Sequence, residues 1–77
     1  HVLIIPRRHV ESLAAFEPED AELAGRLLIA AAETARQLGV EEDGYRVVTN
    51  RGEKAGQSVF HVHLHLLAGR RMTWPPG

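Results

Sequence analysis

The sequence contains no cysteine, which excludes a disulfide framework, a thiolate metal site and a cysteine nucleophile. It also lacks a long block of charge of one sign. Nine Lys and Arg stand against ten Asp and Glu, which gives a net charge of −1. This balance argues against binding to nucleic acid or to a membrane surface, and it favours a small ligand that is recognised locally. Any chemistry must come from oxygen and nitrogen groups.

Long hydrophobic runs are absent as well. No apolar segment approaches the roughly 18 residues that a membrane span needs, and nothing resembles a signal peptide. We therefore expect a cytoplasmic protein. The 77 residues are enough for one small domain, residues 1–77, with a thin core that a partner chain could help to bury. Because His1 already lies inside an apolar run, we expect that an N-terminal portion of the domain is missing.

The order of apolar and polar residues predicts an α+β domain. Apolar segments at 1–5, 45–50 and 60–67 have the length and composition of strands. A helix is expected to begin at 17–20, where a proline and acidic residues suit the first turn, and to end at Gly39. The apolar stripe of this helix contains Leu23, Ala24, Leu27, Leu28, Ala31, Ala35 and Leu38. The simplest architecture is an antiparallel sheet covered by one long helix.

The last predicted strand carries the strongest functional signal. Its residues alternate, so that one face holds three imidazoles and the other holds Phe60, Val62, Leu64 and Leu66. We call His61, His63 and His65 the histidine row. A solvated strand face normally mixes several polar residue types, whereas this face repeats the side chain that can attack, accept or donate a proton near pH 7. A functional site is the better explanation. His9, which stands alone, is interpreted as a half-exposed polar residue.

Metal binding and nucleophilic catalysis are the two chemical interpretations of the row. Residues on the same strand face lie roughly 6.6 Å apart, so His61 and His65 are about 13 Å apart and do not share one zinc ion comfortably. A zinc site would need an outside ligand such as His1, so metal binding is the minority interpretation. In the nucleophilic alternative, one neutral nitrogen attacks while the other keeps its proton by donating it. His63, in the middle, is the natural candidate.

The segment before the row contains groups that suit a phosphate. Gly56, Gln57 and Ser58 supply a residue without a side chain, an amide and a hydroxyl. Asn50, at the end of a predicted strand, could donate its amide to a phosphoryl oxygen if it faces the same cleft. Each signal alone is weak, because such residues are common in ordinary turns.

With these residues the chain resembles the histidine triad family, whose signature is His-x-His-x-His followed by apolar residues. Here the signature is formed by residues 61–67, and it is highly specific. The stretch from Gly56 to Arg71, with the tail Trp74-Pro75-Pro76-Gly77, looks like the nucleoside phosphoramidase branch, often called Hint proteins. The opening residues 1–9 are similar to the family's strand and proline turn.

The resemblance implies a hydrolase that uses no cofactor and acts on an AMP-like purine nucleotide. His63 would attack the α-phosphorus of a nucleoside phosphoramidate and form a nucleotidyl-histidine intermediate. Ser58 and His65 would assist around the phosphate and leaving group, His61 would orient His63, and His1 would be an additional active-site histidine. The phosphate would be bound by Asn50, Gly56, Gln57 and Ser58, together with His63 and His65.

The resemblance also implies a homodimer, in which the tail bearing Trp74 reaches toward the partner's site. Family members carry an additional N-terminal segment that contacts the purine and ribose, so this chain corresponds to the C-terminal, catalytic portion of the domain. Three alternatives remain open at this stage. They are hydrolysis of dinucleoside polyphosphates or nucleotidyl transfer within the same family, a nucleotide-binding scaffolding module, and a zinc-binding protein.

Overall fold

Three antiparallel strands and one long helix make up the structure, a computed structural model that describes residues 1–77. The strands are β1 (Val2–Ile4), β2 (Arg46–Val48) and β3 (Leu64–Leu67), and the helix is α1 (Ala21–Gln37). The order in the sheet is β1-β3-β2, so β3 pairs with a neighbour on both sides. The α+β class, with one helix covering an antiparallel sheet, is therefore confirmed.

The strand predicted at 60–67 is shorter than expected, because only Leu64–Leu67 pairs in the sheet. The register explains this, since β1 ends its pairing where Ile4 meets Leu64 and Pro6, close behind, offers no N–H to extend the ladder. Instead, the N–H of Val62 donates to the carbonyl of Val10 in the following turn. His61 and His63 therefore lie in an irregular segment immediately before β3.

Residues of β3 alternate between the helix and the opposite face of the sheet. Leu64 and Leu66 are buried, whereas His65 pairs with Leu3 on one side and Val48 on the other. Directly paired residues share a sheet face, so Leu3, Val48 and His65 lie together on the face away from α1. The expected burial of Phe60 was wrong, because its side chain is 56% exposed.

The core lies between the sheet and α1. Val10, Leu27, Ala31, Val62 and Leu64 form its buried cluster, and the small side chains of buried α1 residues allow the helix to approach closely. The predicted helix stripe was partly wrong, since Leu28 and Leu38 are exposed. The buried part of the stripe is therefore narrower and consists of Leu27, Ala31 and Ala35.

The start of α1 is tied to the turn that follows β1. A 3-10 turn, Pro18–Asp20, precedes the helix. The carboxylate of Asp20 accepts one hydrogen bond from the backbone N–H of Glu17 at 2.9 Å and one from the Arg8 guanidinium at 2.7 Å. These two donors, the backbone N–H first, hold the pKa of Asp20 below its usual value. The turn at Arg8 is thereby fixed against the beginning of α1.

The helix ends as the sequence predicts. Gly39 has a φ of +72°, a left-handed conformation that glycine adopts without steric cost, and its N–H donates to the carbonyl of Arg36. None of the helices has the length and hydropathy that crossing a bilayer requires.

Candidate active site

All five histidines of the chain lie in one connected cluster. His1 contacts His65, the His63 and His65 rings meet edge to face with centroids 4.9 Å apart, and His9 contacts His61. The carbonyl of His61 connects the two halves by accepting a hydrogen bond from His63. The structure thus brings together four of the predicted site residues, His1 and the histidine row.

The protonation pattern of His63 follows from its hydrogen bond. Its Nδ1 lies 2.7 Å from the carbonyl oxygen of His61. A carbonyl can only accept, so Nδ1 must carry the proton. In the neutral ring the lone pair is then on Nε2. His63 therefore has one nitrogen fixed as a donor and the other available for attack.

The main chain of His63 is also held from the side of β2. The hydroxyl of Thr49 donates to the carbonyl of His63 at 2.9 Å. Asn50, the next residue, is half-buried at the end of β2. The Thr49 contact was not predicted, because threonine in a strand is ordinary and only the pairing of β2 with β3 shows what its hydroxyl meets.

His61 contacts the cluster in two different ways. Its carbonyl accepts the hydrogen bond from His63 Nδ1. Its ring points toward the end of β1, where Nε2 donates to the carbonyl of Pro6 at 2.9 Å. The remaining Nδ1 faces Nδ1 of His9 at 3.2 Å. The contact of His61 with Nδ1 of His63 is therefore made by the main chain.

His9, interpreted from the sequence as a half-exposed polar residue, is exposed but belongs to the cluster. The proline turn brings it back over the segment that precedes β3, where it contacts His61. No local pattern around residue 9 could show this, because the contact joins residues that are 52 positions apart. Pairing of β1 with β3 is what creates it.

His1 and His65 share a hydrogen bond of 2.8 Å between Nε2 and Nδ1. The register places them together, since Leu3 pairs with His65 and His1 stands two residues before Leu3. One ring must donate and the other accept, so one proton lies between the two rings, next to His63. The structure contains no group of three or more His, Asp or Glu side chains that could hold a metal ion.

An apolar cavity opens beside His63. It has a volume of about 240 Å³ and is lined by Leu3, Ile5, Val59, His61 and His63. Leu3, Ile5 and Val59 are each more than half exposed. His63 therefore borders a surface that could receive an apolar part of a ligand.

Gln57 anchors the loop that precedes the row. Its side-chain oxygen accepts from the N–H of Gly52 at 2.9 Å, and its side-chain nitrogen donates to the carbonyls of Glu11 and Val59. The amide is buried, and both its oxygen and its two N–H groups have partners, so it shapes the loop. Direct phosphate contact by this side chain would require these bonds to break.

Ser58 and Asn50 differ from Gln57, because neither the Ser58 hydroxyl nor the Asn50 amide makes a hydrogen bond within the chain, and Ser58 is exposed. Gly56 has a φ of +91°, and its N–H already donates to the carbonyl of Glu53 at 2.9 Å. Phosphate binding by this group stays a prediction.

Trp74 lies near the other end of β3. The Arg46 guanidinium stands over its ring at 5.2 Å and donates to the carbonyl of Thr73. Arg46 pairs with Leu67, at the end of β3 away from His63. The indole is 79% exposed. The indole therefore lies at the surface against Arg46 of β2 and does not pack into the histidine cluster of its own chain.

Comparison with known proteins gives a consistent result. A family model described as HIT domain matches residues 1–72. An uncharacterized HIT-like protein from Synechocystis is 51% identical over 77 residues, and the chain spans 67% of it. A protein from Zea mays named 14 kDa zinc-binding protein is 51% identical over 79 residues, and the chain spans 61% of it. Both alignments include 100% of this chain.

Solved structures resemble the whole arrangement of sheet and helix. A HIT family hydrolase from Legionella pneumophila superposes with a TM-score of 0.95 at 48% identity, covering 97% of this chain and 67% of that protein. A HIT family hydrolase from Clostridium thermocellum gives a TM-score of 0.88 at 42% identity, covering 92% and 62%.

Proposed function

Since this chain belongs to the HIT domain family, we propose that it hydrolyses purine nucleoside phosphoramidates through a nucleotidyl-histidine intermediate on His63. Similar solved structures are HIT family hydrolases, which supports hydrolysis as the reaction class. The substrates proposed are adenosine 5′-phosphoramidate, conjugates of AMP with an amine or lysine, and related adenylates. The observation that carries the proposal is the 2.7 Å hydrogen bond from His63 Nδ1 to the His61 carbonyl.

That hydrogen bond prepares His63 for attack on phosphorus. With Nδ1 protonated, the Nε2 lone pair forms the new bond to the α-phosphorus while the P–N bond of the substrate breaks. The imidazole gains positive charge in this step, and the Nδ1–H bond to the carbonyl becomes charge-assisted, which makes it roughly twice as strong as a neutral one. The main chain at residue 61 therefore stabilises the intermediate more than the free enzyme.

The leaving amine takes the electron pair of the broken P–N bond and needs a proton. We assign this proton to the pair formed by His1 and His65 in its imidazolium form, which carries one proton more than two neutral rings, because the His65 ring lies edge to face with the His63 ring. Water then attacks the phosphorus, returns one proton to the pair, and releases the nucleoside monophosphate as His63 leaves with its lone pair on Nε2. No metal or cofactor takes part in these steps.

The alternatives differ in substrate or in metal use. Dinucleoside polyphosphate hydrolysis and nucleotidyl transfer would use the same His63 intermediate with another leaving group or acceptor. A scaffolding module would bind nucleotide without turnover. The maize relative is named as a zinc-binding protein, but the side chains here form no group of three ligands, so we derive no step through zinc.

Hydrolysis of adenosine 5′-phosphoramidate by the full-length protein tests the proposal. We expect AMP release that is unchanged by a chelator and faster than AMP release from a diadenosine polyphosphate at equal concentration. Activity lost with the chelator would favour the zinc alternative. A folded protein that binds AMP but releases none from any of these substrates would favour the scaffolding alternative.

We also propose that the protein is a homodimer in which Trp74 lies against the partner. A large exposed aromatic side chain is typical of an interface, and Trp74 is turned away from its own histidine cluster. Sedimentation equilibrium of the full-length protein at micromolar concentration should give the mass of two chains, and Trp74→Ala should shift the equilibrium toward one. A wild-type mass of one chain would contradict the proposal.

A further inference from the structure

His9 lies outside the histidine row, yet its ring is one of the two contacts that hold the His61 ring. We propose that His9 is a positioning residue for His63, acting through His61. The inference rests on the proposed function, because it concerns the aim of the same nucleophile. It assigns a role to a residue of the turn after β1 that neither lines the apolar cavity nor contacts His63.

The direction of the hydrogen bonds follows from the Pro6 carbonyl. That oxygen can only accept, so the His61 Nε2 that lies 2.9 Å away must carry a proton. In the neutral His61 ring, Nδ1 is then an acceptor. The 3.2 Å contact with His9 is therefore a bond in which the His9 Nδ1–H donates. The hydrogen bond from His9 therefore favours the Nε2–H tautomer of His61, which is the one that can donate to the Pro6 carbonyl.

The segment that contains His61 depends on such contacts because it is outside the sheet. Pairing of β3 begins at Leu64, and the residues before it have no strand partner. The segment is instead held by burial of Val62 in the core, by the Val62 N–H bond to Val10, by the Thr49 bond to the His63 carbonyl and by the two ring bonds of His61. Of these, only the ring bonds act on the His61 side chain. The carbonyl of His61 orients Nδ1 of His63, so a movement of residue 61 would misdirect the attacking Nε2.

The turn that presents His9 is itself fixed on both sides. Arg8 is bonded to Asp20 at the start of α1 at 2.7 Å. Val10 is buried in the core, and its carbonyl accepts from Val62. His9 is exposed between these two anchors. Its ring can therefore be replaced without removing core packing, which separates positioning from folding.

The test compares His9→Phe with His9→Asn in the full-length protein. Phenylalanine keeps a ring but has no N–H, whereas the side-chain nitrogen of asparagine can take the place of Nδ1 as a donor. For adenosine 5′-phosphoramidate we expect His9→Phe to lower kcat about five- to tenfold, the effect of losing one hydrogen bond, with KM unchanged. His9→Asn should recover most of kcat. Arg7→Phe, at an exposed position of the same turn, should match the wild type.

A second measurement does not depend on turnover. Long-range ¹H–¹⁵N spectra report which nitrogen of each histidine is protonated, and the wild type should show the Nε2–H form of His61 and the Nδ1–H form of His63. His9→Phe should produce a mixture at His61, and His9→Asn should restore the single form. If the spectra change in this way but the wild type has no activity, the positioning contact is supported and the proposed function fails.

Two results would overturn the inference. One is a His9→Phe protein whose kcat and His61 spectrum equal those of the wild type. The other is an equal loss of kcat in His9→Phe and His9→Asn with an unchanged His61 spectrum, since that would show an effect unrelated to the donated hydrogen bond. Thermal unfolding of each variant confirms that the compared proteins are folded.

Discussion

His63→Ala should lower kcat/KM for adenosine 5′-phosphoramidate by about 10⁴-fold or more, because the variant has no group that can form the covalent intermediate. The side chain is half-exposed and lies in the irregular segment before β3, so its removal leaves the core cluster intact. Binding of AMP, measured by calorimetry, should therefore persist. Loss of turnover with retained binding is the result expected when a nucleophile is removed.

Two further measurements sharpen this prediction. Bonds between phosphorus and imidazole nitrogen survive alkali, so an alkaline quench followed by mass spectrometry should find one nucleotidyl group on wild-type His63 and none on the variant. In His63→Gly, added imidazole should restore part of the activity by occupying the vacated space. Turnover within tenfold of the wild type in His63→Ala, or a nucleotidyl group on another histidine, would disprove the assignment.

Leu64→Ala should cost about 2–5 kcal/mol of unfolding free energy, the range found when a buried leucine is truncated and leaves a cavity. Leu64 is buried in the core cluster and opens the central strand between His63 and His65. In a domain of this size, each kcal/mol lowers the Tm by about 4–8 °C. Calorimetry or urea unfolding of the full-length protein should show the loss.

Leu38→Ala provides the matched control for that change. It removes the same atoms from a side chain that is 56% exposed at the end of α1, so the expected change lies within about 0.5 kcal/mol. An equal loss in both variants would show that burial of Leu64 in this core is not what stabilises the protein. Leu64→Ala should also lower activity at temperatures where it remains folded, because the histidines on either side depend on β3.

Much of the fold could be predicted because the sequence carries local signals for it. The acidic proline turn, the apolar periodicity and Gly39 indicate α1 and its ends, and the alternation around residues 62–66 indicates which side faces the core. The end of the pairing in β3 was not visible locally. It is set by where β1 stops, a property of a segment some 60 residues earlier in the chain.

The candidate site shows the same division between local and non-local information. The histidine row and the importance of His63 follow from one short segment. The carbonyl contact of His61, the Thr49 hydroxyl and the approach of His9 do not, because each depends on how separate strands and turns meet. Gln57 is a further case. Its residue type and position before the row suggest a phosphate ligand, whereas its side-chain hydrogen bonds make it an anchor of the loop.

The acceptor that orients His63 belongs to the peptide backbone of residue 61. Every amino acid has such a carbonyl, so no substitution at that position can delete the group itself. Side-chain replacement there alters only how accurately the oxygen is aimed. A substitution at residue 61 therefore leaves an acceptor for the His63 Nδ1 proton in place and changes only the geometry of that hydrogen bond. In the reaction proposed for His63, such changes would alter the rate in small steps as the protein evolves.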